Sequence, residues 1–237
     1  DHAIALMLTM RRGINSYHRN LMDSPRAGFD HARAPLLARL RGKTFGVVGL
    51  GRIGIAAALR AKAFGMRVLA YDPLVSRGTE IAVGVDRCDR LEDLLSQSDV
   101  VSLHCPLTTE SHKMINAERL AMMQPHALLI NTARGAIIDI DALLDALRNG
   151  TIAGAGIDVL PAEPPAPEDA IALAYANGKD PIVGERLFLT PHAAWSSPES
   201  VADARRLSVE TAMQYLRDGS LRNLVNAPAQ KRFSGAA

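Results

Sequence analysis

The tightest constraint on this chain lies between Phe45 and Gly54, which read Phe-Gly-Val-Val-Gly-Leu-Gly-Arg-Ile-Gly. A short apolar run, Phe45 to Val48, meets three glycines in the spacing G-x-G-x-x-G, at Gly49, Gly51 and Gly54, and an alanine-rich run follows from Ile55 to Gly65. A strand that delivers the chain to a tight turn needs backbone angles open to glycine, which Gly49 supplies. Gly51 has no side chain, so a pyrophosphate can come close to the backbone. Gly54 lets the following helix pack against the strand, and the helix N-terminus points free N–H groups at the phosphates, with Arg52 and Ile53 inside the same turn. Arg67 to Tyr71 reads as the next strand, and Asp72 stands at its end, 18 residues after Gly54. A carboxylate there accepts hydrogen bonds from adenosine ribose hydroxyls and repels a 2′-phosphate, which selects NAD over NADP. The plainer reading of Asp72 is a turn residue before Pro73, and Arg77 is near enough to keep NADP open.

With 237 residues the chain can bury a good core and form one large domain or two small ones. Its residues are 48% hydrophobic and 4% aromatic, a balance that suits an Ala/Leu/Val-rich α/β protein. A net charge of +2 with scattered Lys and Arg gives no electrostatic footprint for nucleic acid. No apolar run approaches membrane-spanning length and no N-terminal signal pattern is present. Cys88 and Cys105 are the only cysteines and suggest neither a disulfide framework nor a metal site, which fits a reducing cytoplasm. Asp1 has no Met before it and stands at the threshold of an apolar helical run, as the start of a fragment would.

Residues 1 to 20 are expected to form one helix, with Ile4, Met7, Leu8 and Ile14 at helical spacing and Arg11, Arg12, His18 and Arg19 as polar ground. Residues 3 to 10 are apolar nearly all round, so this helix should be covered by something, another subunit being one candidate. Residues 23 to 35 read as loop. Beyond Asp72 come a weak strand near Ile81 to Val85, a helical turn at Leu91 to Ser96, a strand at Asp99 to His104 and a helix over Asn116 to Met123 capped by Asn116. A strand at Ala127 to Asn131, a helix over Asp139 to Asn149 stopped by Gly150 and a glycine-bearing strand at Ile152 to Val159 follow. A proline-rich loop, a helix over Glu168 to Asn177, a last strand at Leu187 to Thr190 and a long helix from Pro198 to Asp218 complete the chain. Alternating strands and helices mean a doubly wound parallel sheet of the α/β class, covered on both faces.

Ligands of such sheets bind outside the carboxyl ends of the strands. The strand ends carry, in order, the glycine turn, Asp72, His104-Cys105-Pro106, Asn131-Thr132-Ala133-Arg134-Gly135, Asp158 and Pro191-His192. Taken singly, each has a dull explanation. Arg134 can cap a helix or pair with Asp139, His192 can be a packed histidine, Asp158 can satisfy a loop N–H, and Glu163 can be solvated. Gathered on one sheet edge behind a dinucleotide turn, they make the case for an active site.

These motifs, together with Gly156-Ile157-Asp158-Val159, Glu163-Pro164 and Pro191-His192-Ala193-Ala194-Trp195, resemble the D-isomer-specific 2-hydroxyacid dehydrogenase family over about residues 40 to 226. The Pro-His-Ala-Ala-Trp ending and Arg11-Arg12 are similar to the C-terminal-binding-protein branch. The resemblance implies that Arg134 holds the substrate carboxylate and carbonyl, that His192 is the general acid–base with Glu163 as its hydrogen-bonded partner, and that Asp158 binds the nicotinamide carboxamide. It further implies that Cys105, Pro106, Thr132 and Ala133 line the cofactor site, with Arg134 and His192 reaching it, while Trp195 lines the substrate pocket or simply packs. The chemistry agrees: reducing a 2-keto acid leaves charge on its carbonyl oxygen, and a histidine can supply the proton near neutrality. An arginine fork matches a carboxylate bidentately. Formate dehydrogenases share the fold but carry glutamine in place of the glutamate, so Glu163 speaks against them.

The expected organisation is an N-terminal helix over 1–22 making a dimer contact, an NAD-binding Rossmann domain over 23–195, and a helix and tail over 196–237 returning to a substrate domain. The family's flavodoxin-like substrate domain has a first part preceding the cofactor domain, and that part is absent from these residues. The polypeptide is expected to keep its NAD site, with turnover by the 237-residue form left open. Expected partners are a small 2-hydroxy or 2-keto acid and a second copy of the chain, with no nucleic acid, membrane or metal. Two other readings compete. One is an NAD(H)-sensing, non-catalytic protein-binding dimer of the corepressor type. The other is a short-chain reductase with a Tyr-x-x-x-Lys pair, for which only Tyr175 with Lys179 has the spacing.

Overall fold

A computed structural model of the protein describes residues 1–176, 180 and 182–221. Among the described residues seven strands form a single parallel sheet: β1 (Thr44–Val48), β2 (Arg67–Tyr71), β3 (Asp86–Arg87), β4 (Val100–Leu103), β5 (Leu128–Asn131), β6 (Gly154–Ile157) and β7 (Leu187–Leu189). Their order is β3-β2-β1-β4-β5-β6-β7, so the sheet reverses direction of growth between β1 and β4. That reversal opens a crevice at the carboxyl edge, where the connections leave to opposite faces. The middle strands are apolar on both sides because both sides are covered. Phe45 and Val47 face one core with Leu128 and Ile130, while Val48 faces the other with Leu103 and Leu129.

Two helices, α1 (His2–Arg11) and α3 (Arg52–Ala63), cover one face; α5 (Leu91–Gln97), α6 (Ala117–Ala121), α7 (Ile140–Arg148) and α8 (Ala170–Ala176) belong to the other. The glycines of β6 are explained by α1. A Cβ on Gly154 would sit 2.6 Å from the Met10 methyl, and one on Gly156 would sit 3.1 Å from Leu6 Cβ, so the helix lies on a strand shaved to admit it.

The single helix expected over residues 1 to 20 is two helices, α1 and α2 (Ile14–Asp23), because Gly13 takes φ of 62° between them. A Cβ at Gly13 would come within 2.5 Å of Ala34 Cβ, so the break is fixed by the returning loop as well as by the backbone. The apolar surround of α1 is covered by the chain's own sheet: Ala3, Ile4, Leu6, Met7 and Met10 are core residues. Arg11, expected on the polar ground, is also buried. Its guanidinium donates to the carbonyls of Asp99 and His126, at 3.0 and 2.7 Å, where β4 and β5 begin.

The weak strand expected near residues 81 to 85 is instead α4 (Thr79–Val83), bracketed by Gly78 and Gly84 in left-handed conformations, and the edge strand β3 comes after it. Asn116 caps α6 as expected, accepting from Arg119 N, and Gly150 ends α7 with φ of 74°. The chain divides into two compact units at Ala194 and Trp195. Among the described residues of the second unit, α9 (Pro198–Asp218) starts with a capping box between Ser197 and Ser200 and stops at Gly219 in the left-handed conformation. Among the described residues no helix is long and apolar enough to cross a membrane.

Candidate active site

At the crevice, α3 begins three residues earlier than the alanine-rich run suggested, directly after Gly51, so its free N–H groups fall inside the glycine turn. Gly49 has φ of 94°, and a Cβ there would meet Cys105 N at 2.6 Å. A Cβ on Gly54 would lie 1.9 Å from Gly49 O, so the third glycine is where the helix closes onto the turn. Gly51 has nothing within 4 Å of its Cβ position: it borders open space. Arg52 and Ile53 are both exposed on this first turn. Beside them is a cavity of about 640 Å³ bounded by Gly49, Asp72, Leu74, Cys105, Pro106 and Met114. Glycines shaved on the turn, an anion-ready helix start and an adjacent apolar chamber fit the phosphates and adenosine of a dinucleotide.

Asp72 is tied into this turn from both oxygens. Oδ2 accepts from Leu50 N at 2.8 Å, and Oδ1 accepts from Leu74 N and Val75 N at 2.8 and 3.1 Å. The turn reading holds, and it leaves room for a ribose hydroxyl, since a carboxylate offers about four acceptor positions and three are used here. Arg77, the residue that kept NADP open, donates to Asp89 at 3.1 Å. Asp72→Ala is expected to weaken NADH binding by about tenfold or more, through the lost ribose acceptor and the slackened Leu50, while NADP binding falls less or improves. Fluorescence titration with both cofactors checks this; unchanged discrimination would remove Asp72 from the ribose contact.

Farther along the same edge, Asn131 is fully buried at the tip of β5 and organises the loop that follows. Its Oδ1 accepts from Ala133 N at 2.9 Å and its Nδ2 donates to Arg134 O at 3.0 Å. Thr132 and Ala133 are half-buried and Arg134 is exposed. The Arg134 guanidinium donates to Ala133 O at 2.6 Å, and among the described residues it pairs with no carboxylate. Asp139, its suggested surface partner, pairs with Lys113 at 3.1 Å instead. A Cβ on Gly135 would fall 1.9 Å from the carbonyl carbon of Leu160, so this glycine sets the contact between the β5 loop and the β6 loop.

The β6 and β7 loops bring Glu163 and His192 together: Nδ1 of the ring lies 2.6 Å from Oε2. Glu163 Oε1 accepts from Leu160 N at 2.7 Å. Burial pulls the Glu163 carboxyl upward, but the Leu160 N–H and the imidazole outweigh it and hold the group below its ordinary range. The carboxylate is thus ionised throughout the neutral range, and the pair is lost only as pH falls through that lowered value. With Nδ1 committed to Glu163, Nε2 is the ring nitrogen left for chemistry.

Asp158 stands directly after β6, at the strand end expected of it. It is 1% exposed, and its carboxylate works inside the protein. Oδ1 accepts from Thr190 Oγ1 at 2.5 Å and Ala193 N at 2.9 Å, Oδ2 accepts from Ala194 N at 2.9 Å, and the backbone oxygen accepts from His192 N at 2.8 Å. Those donors tie the carboxylate to the His192 turn, beside the cavity that Asp158 lines together with Glu163 and His192. Cys105 is half-buried, and burial pushes its thiol up, away from a reactive thiolate. His104 is held neutral, near a pKa of about 4, chiefly by burial, and bonds Ser102 Oγ through Nε2. Tyr175 donates to Leu187 O, and burial raises its hydroxyl to about 12, opposite to what a proton-donating tyrosine needs; Lys179 lies outside the described residues. Trp195 opens the second unit and is 59% exposed. Among the described residues no cluster of His, Cys, Asp and Glu could hold a metal ion. Asn131, Gly135 and Thr190 carry site geometry that sequence reasoning gave no role; the hint for Gly135 was a glycine directly after Arg134.

A dinucleotide-type crevice sharing its sheet edge with an imidazole–carboxylate pair and a guanidinium that, among the described residues, meets no carboxylate defines an α/β nucleotide-binding domain of the Rossmann type. The chain belongs to the D-isomer specific 2-hydroxyacid dehydrogenase family, whose NAD binding domain model matches residues 4–194. It is 38% identical over 231 residues to a glyoxylate reductase of Korarchaeum cryptofilum, covering 98% of this chain and 66% of that protein. It is 41% identical over 205 residues to a glycerate dehydrogenase of Methylorubrum extorquens, covering 85% of this chain and 59% of the relative. The chain thus spans about 59–66% of the length of these curated relatives. A solved Aquifex aeolicus D-lactate dehydrogenase, complexed with NAD and lactic acid, superposes with a TM-score of 0.76 at 34% identity, over 91% of this chain and 65% of that one. NAD is the cofactor of the matched domain. The likeness to the C-terminal-binding-protein branch gains nothing from these relatives, and Arg11, one of its two marks, is accounted for by the backbone carbonyls it serves.

Proposed function

We propose that the protein is an NAD-dependent oxidoreductase that interconverts a small 2-keto acid and its D-2-hydroxy acid. The observation that carries this reading is the 2.6 Å contact between His192 Nδ1 and Glu163 Oε2, on loops next to the one bearing Arg134, whose guanidinium meets no carboxylate among the described residues. Bound NADH supplies the hydride. Arg134 grips the substrate carboxylate through its fork and draws the carbonyl oxygen into line. His192 gives a proton to that oxygen from Nε2 in reduction and takes it back in oxidation. Glu163 orients the ring by holding Nδ1. Glyoxylate, glycerate and lactate, the compounds named in the relatives, share a short 2-oxygenated carboxylate, which is the class an arginine and one acid–base group can handle.

The protein is proposed to act in the cytoplasm, in keeping with its two free thiols. It is proposed to act as a homodimer: α1 is covered by its own sheet, but α2 leaves Ile14 57% and Met22 72% exposed, an apolar surface suited to a second copy.

Screening glyoxylate, hydroxypyruvate, pyruvate and longer 2-keto acids with NADH and the full-length protein tests the reading. Saturable NADH oxidation with at least one is expected, and Arg134→Gln should raise the KM for that acid by roughly a hundredfold while NADH affinity changes little. Tight NADH binding with no turnover of any acid would overturn the enzymatic assignment.

A further inference from the structure

His192 has φ of 51°, in the left-handed region that a histidine seldom adopts. Something must hold it there, and neither the glycine turn nor Glu163 touches its backbone. The support is Asp158. Its carbonyl takes His192 N at 2.8 Å, while its two carboxylate oxygens take Ala193 N and Ala194 N at 2.9 Å each. The turn that presents the imidazole is thus built on one buried carboxylate, and a buried carboxylate is held in place by the donors that serve its remaining lone pairs.

Those lone pairs are served from two directions. Thr190, two residues before His192, puts its hydroxyl 2.5 Å from Asp158 Oδ1. His2, in the first turn of α1, brings Nε2 to 2.9 Å from Thr190 Oγ1 and 3.4 Å from Asp158 Oδ1. A hydroxyl has one proton and two lone pairs. With its proton given to Asp158, Thr190 accepts from His2 Nε2–H, so His2 donates to Thr190 and Thr190 to Asp158, which also accepts from the N–H groups of the His192 turn. Valine at 190 would keep the shape and end the chain; serine would keep the chain.

We propose that Thr190 and His2 are positioning residues for His192, acting through Asp158 to hold the turn that aims the imidazole, without touching substrate or cofactor themselves. The idea rests on the acid–base role proposed for His192, and its test separates the two. In the full-length protein, Thr190→Val should lower kcat for keto-acid reduction by about tenfold to a hundredfold, with NADH affinity within about twofold of the parent. Thr190→Ser should restore most of the loss. His2→Leu, farther up the chain, should cost about threefold to tenfold in kcat.

The structural readout is independent of turnover. In protein labelled with ¹⁵N-histidine, the His192 Nδ1–H bonded to Glu163 should give a protected downfield proton signal, assigned by its loss in His192→Ala. That signal should disappear or exchange much faster in Thr190→Val and persist in Thr190→Ser. If no keto acid is turned over by the parent protein, the enzymatic reading fails while this signal still decides the positioning role. An unchanged signal and unchanged kcat in Thr190→Val would overturn the proposal. Should Thr190→Val not fold, His2→Leu carries the same test, and parent-like values of both readouts in it would overturn the proposal equally.

Discussion

Replacing His192 with alanine should lower keto-acid reduction by about 10²–10⁴-fold, the range for losing a positioned acid–base group, while NADH binding stays within a few-fold. The separation follows from the layout. The glycine turn, Asp72 and the cavity beside them are built from β1, β2 and β4, and His192 stands beyond β7 at the other end of the sheet edge. Removing the imidazole leaves Glu163 bonded to Leu160 N, so its loop keeps one anchor, and Asp158 keeps its bonds to residues 193 and 194. Stopped-flow reduction kinetics and a fluorescence titration of NADH on the same preparation measure the two effects. Parallel losses in both would mean that His192 serves cofactor binding and not proton transfer.

The second large effect is expected from Gly135→Ala. A single methyl there would overlap the Leu160 carbonyl carbon at 1.9 Å, its oxygen at 2.3 Å and Pro161 N at 2.4 Å, all backbone atoms that no rotamer change can move aside. The β5 loop must then part from the β6 loop, and both carry site residues: Arg134 immediately before the glycine, and Glu163 three residues past Leu160. Forced overpacking of this kind costs about 1–3 kcal/mol or more, which should appear as a thermal midpoint several degrees lower. Activity should fall further than stability, by about a hundredfold or more, because the guanidinium and the imidazole–carboxylate pair lose their registration. Circular dichroism melting and keto-acid kinetics at a temperature where the variant is folded check both parts. An alanine variant with parent-like kcat/KM would show that the two loops need not touch.

Much of the architecture was legible because its signals are local. Each inner strand is a short apolar run closed by glycine, proline or a polar residue, and the parallel order follows from helices standing between them. Features set by distant contacts were not legible. The Gly13 break depends on Ala34, twenty-odd residues away, and α4 looked like a strand because Ile81 and Val83 favour one, although Gly78 and Gly84 cap a helical turn on either side. Arg11 read as surface because nothing in its neighbours announces two waiting carbonyls at the starts of β4 and β5. The same holds at the site. Glu163 and His192 could be paired by family likeness, but the inward use of Asp158 depends on Thr190 and on residues 193 and 194 across the sheet. Spacing along the chain cannot show which way a buried carboxylate is spent.

The central claim is that Glu163 and His192 act as one acid–base unit, and a double-mutant cycle of Glu163→Gln and His192→Ala tests it most directly. The carboxylate holds Nδ1 of the ring at 2.6 Å, and glutamine keeps a similar shape without the charge. Glu163→Gln alone should lower kcat for keto-acid reduction by about tenfold or more, and it should cost almost nothing further once His192 is alanine, because the carboxylate acts only through the ring. Losses that multiply in the double variant would contradict the account.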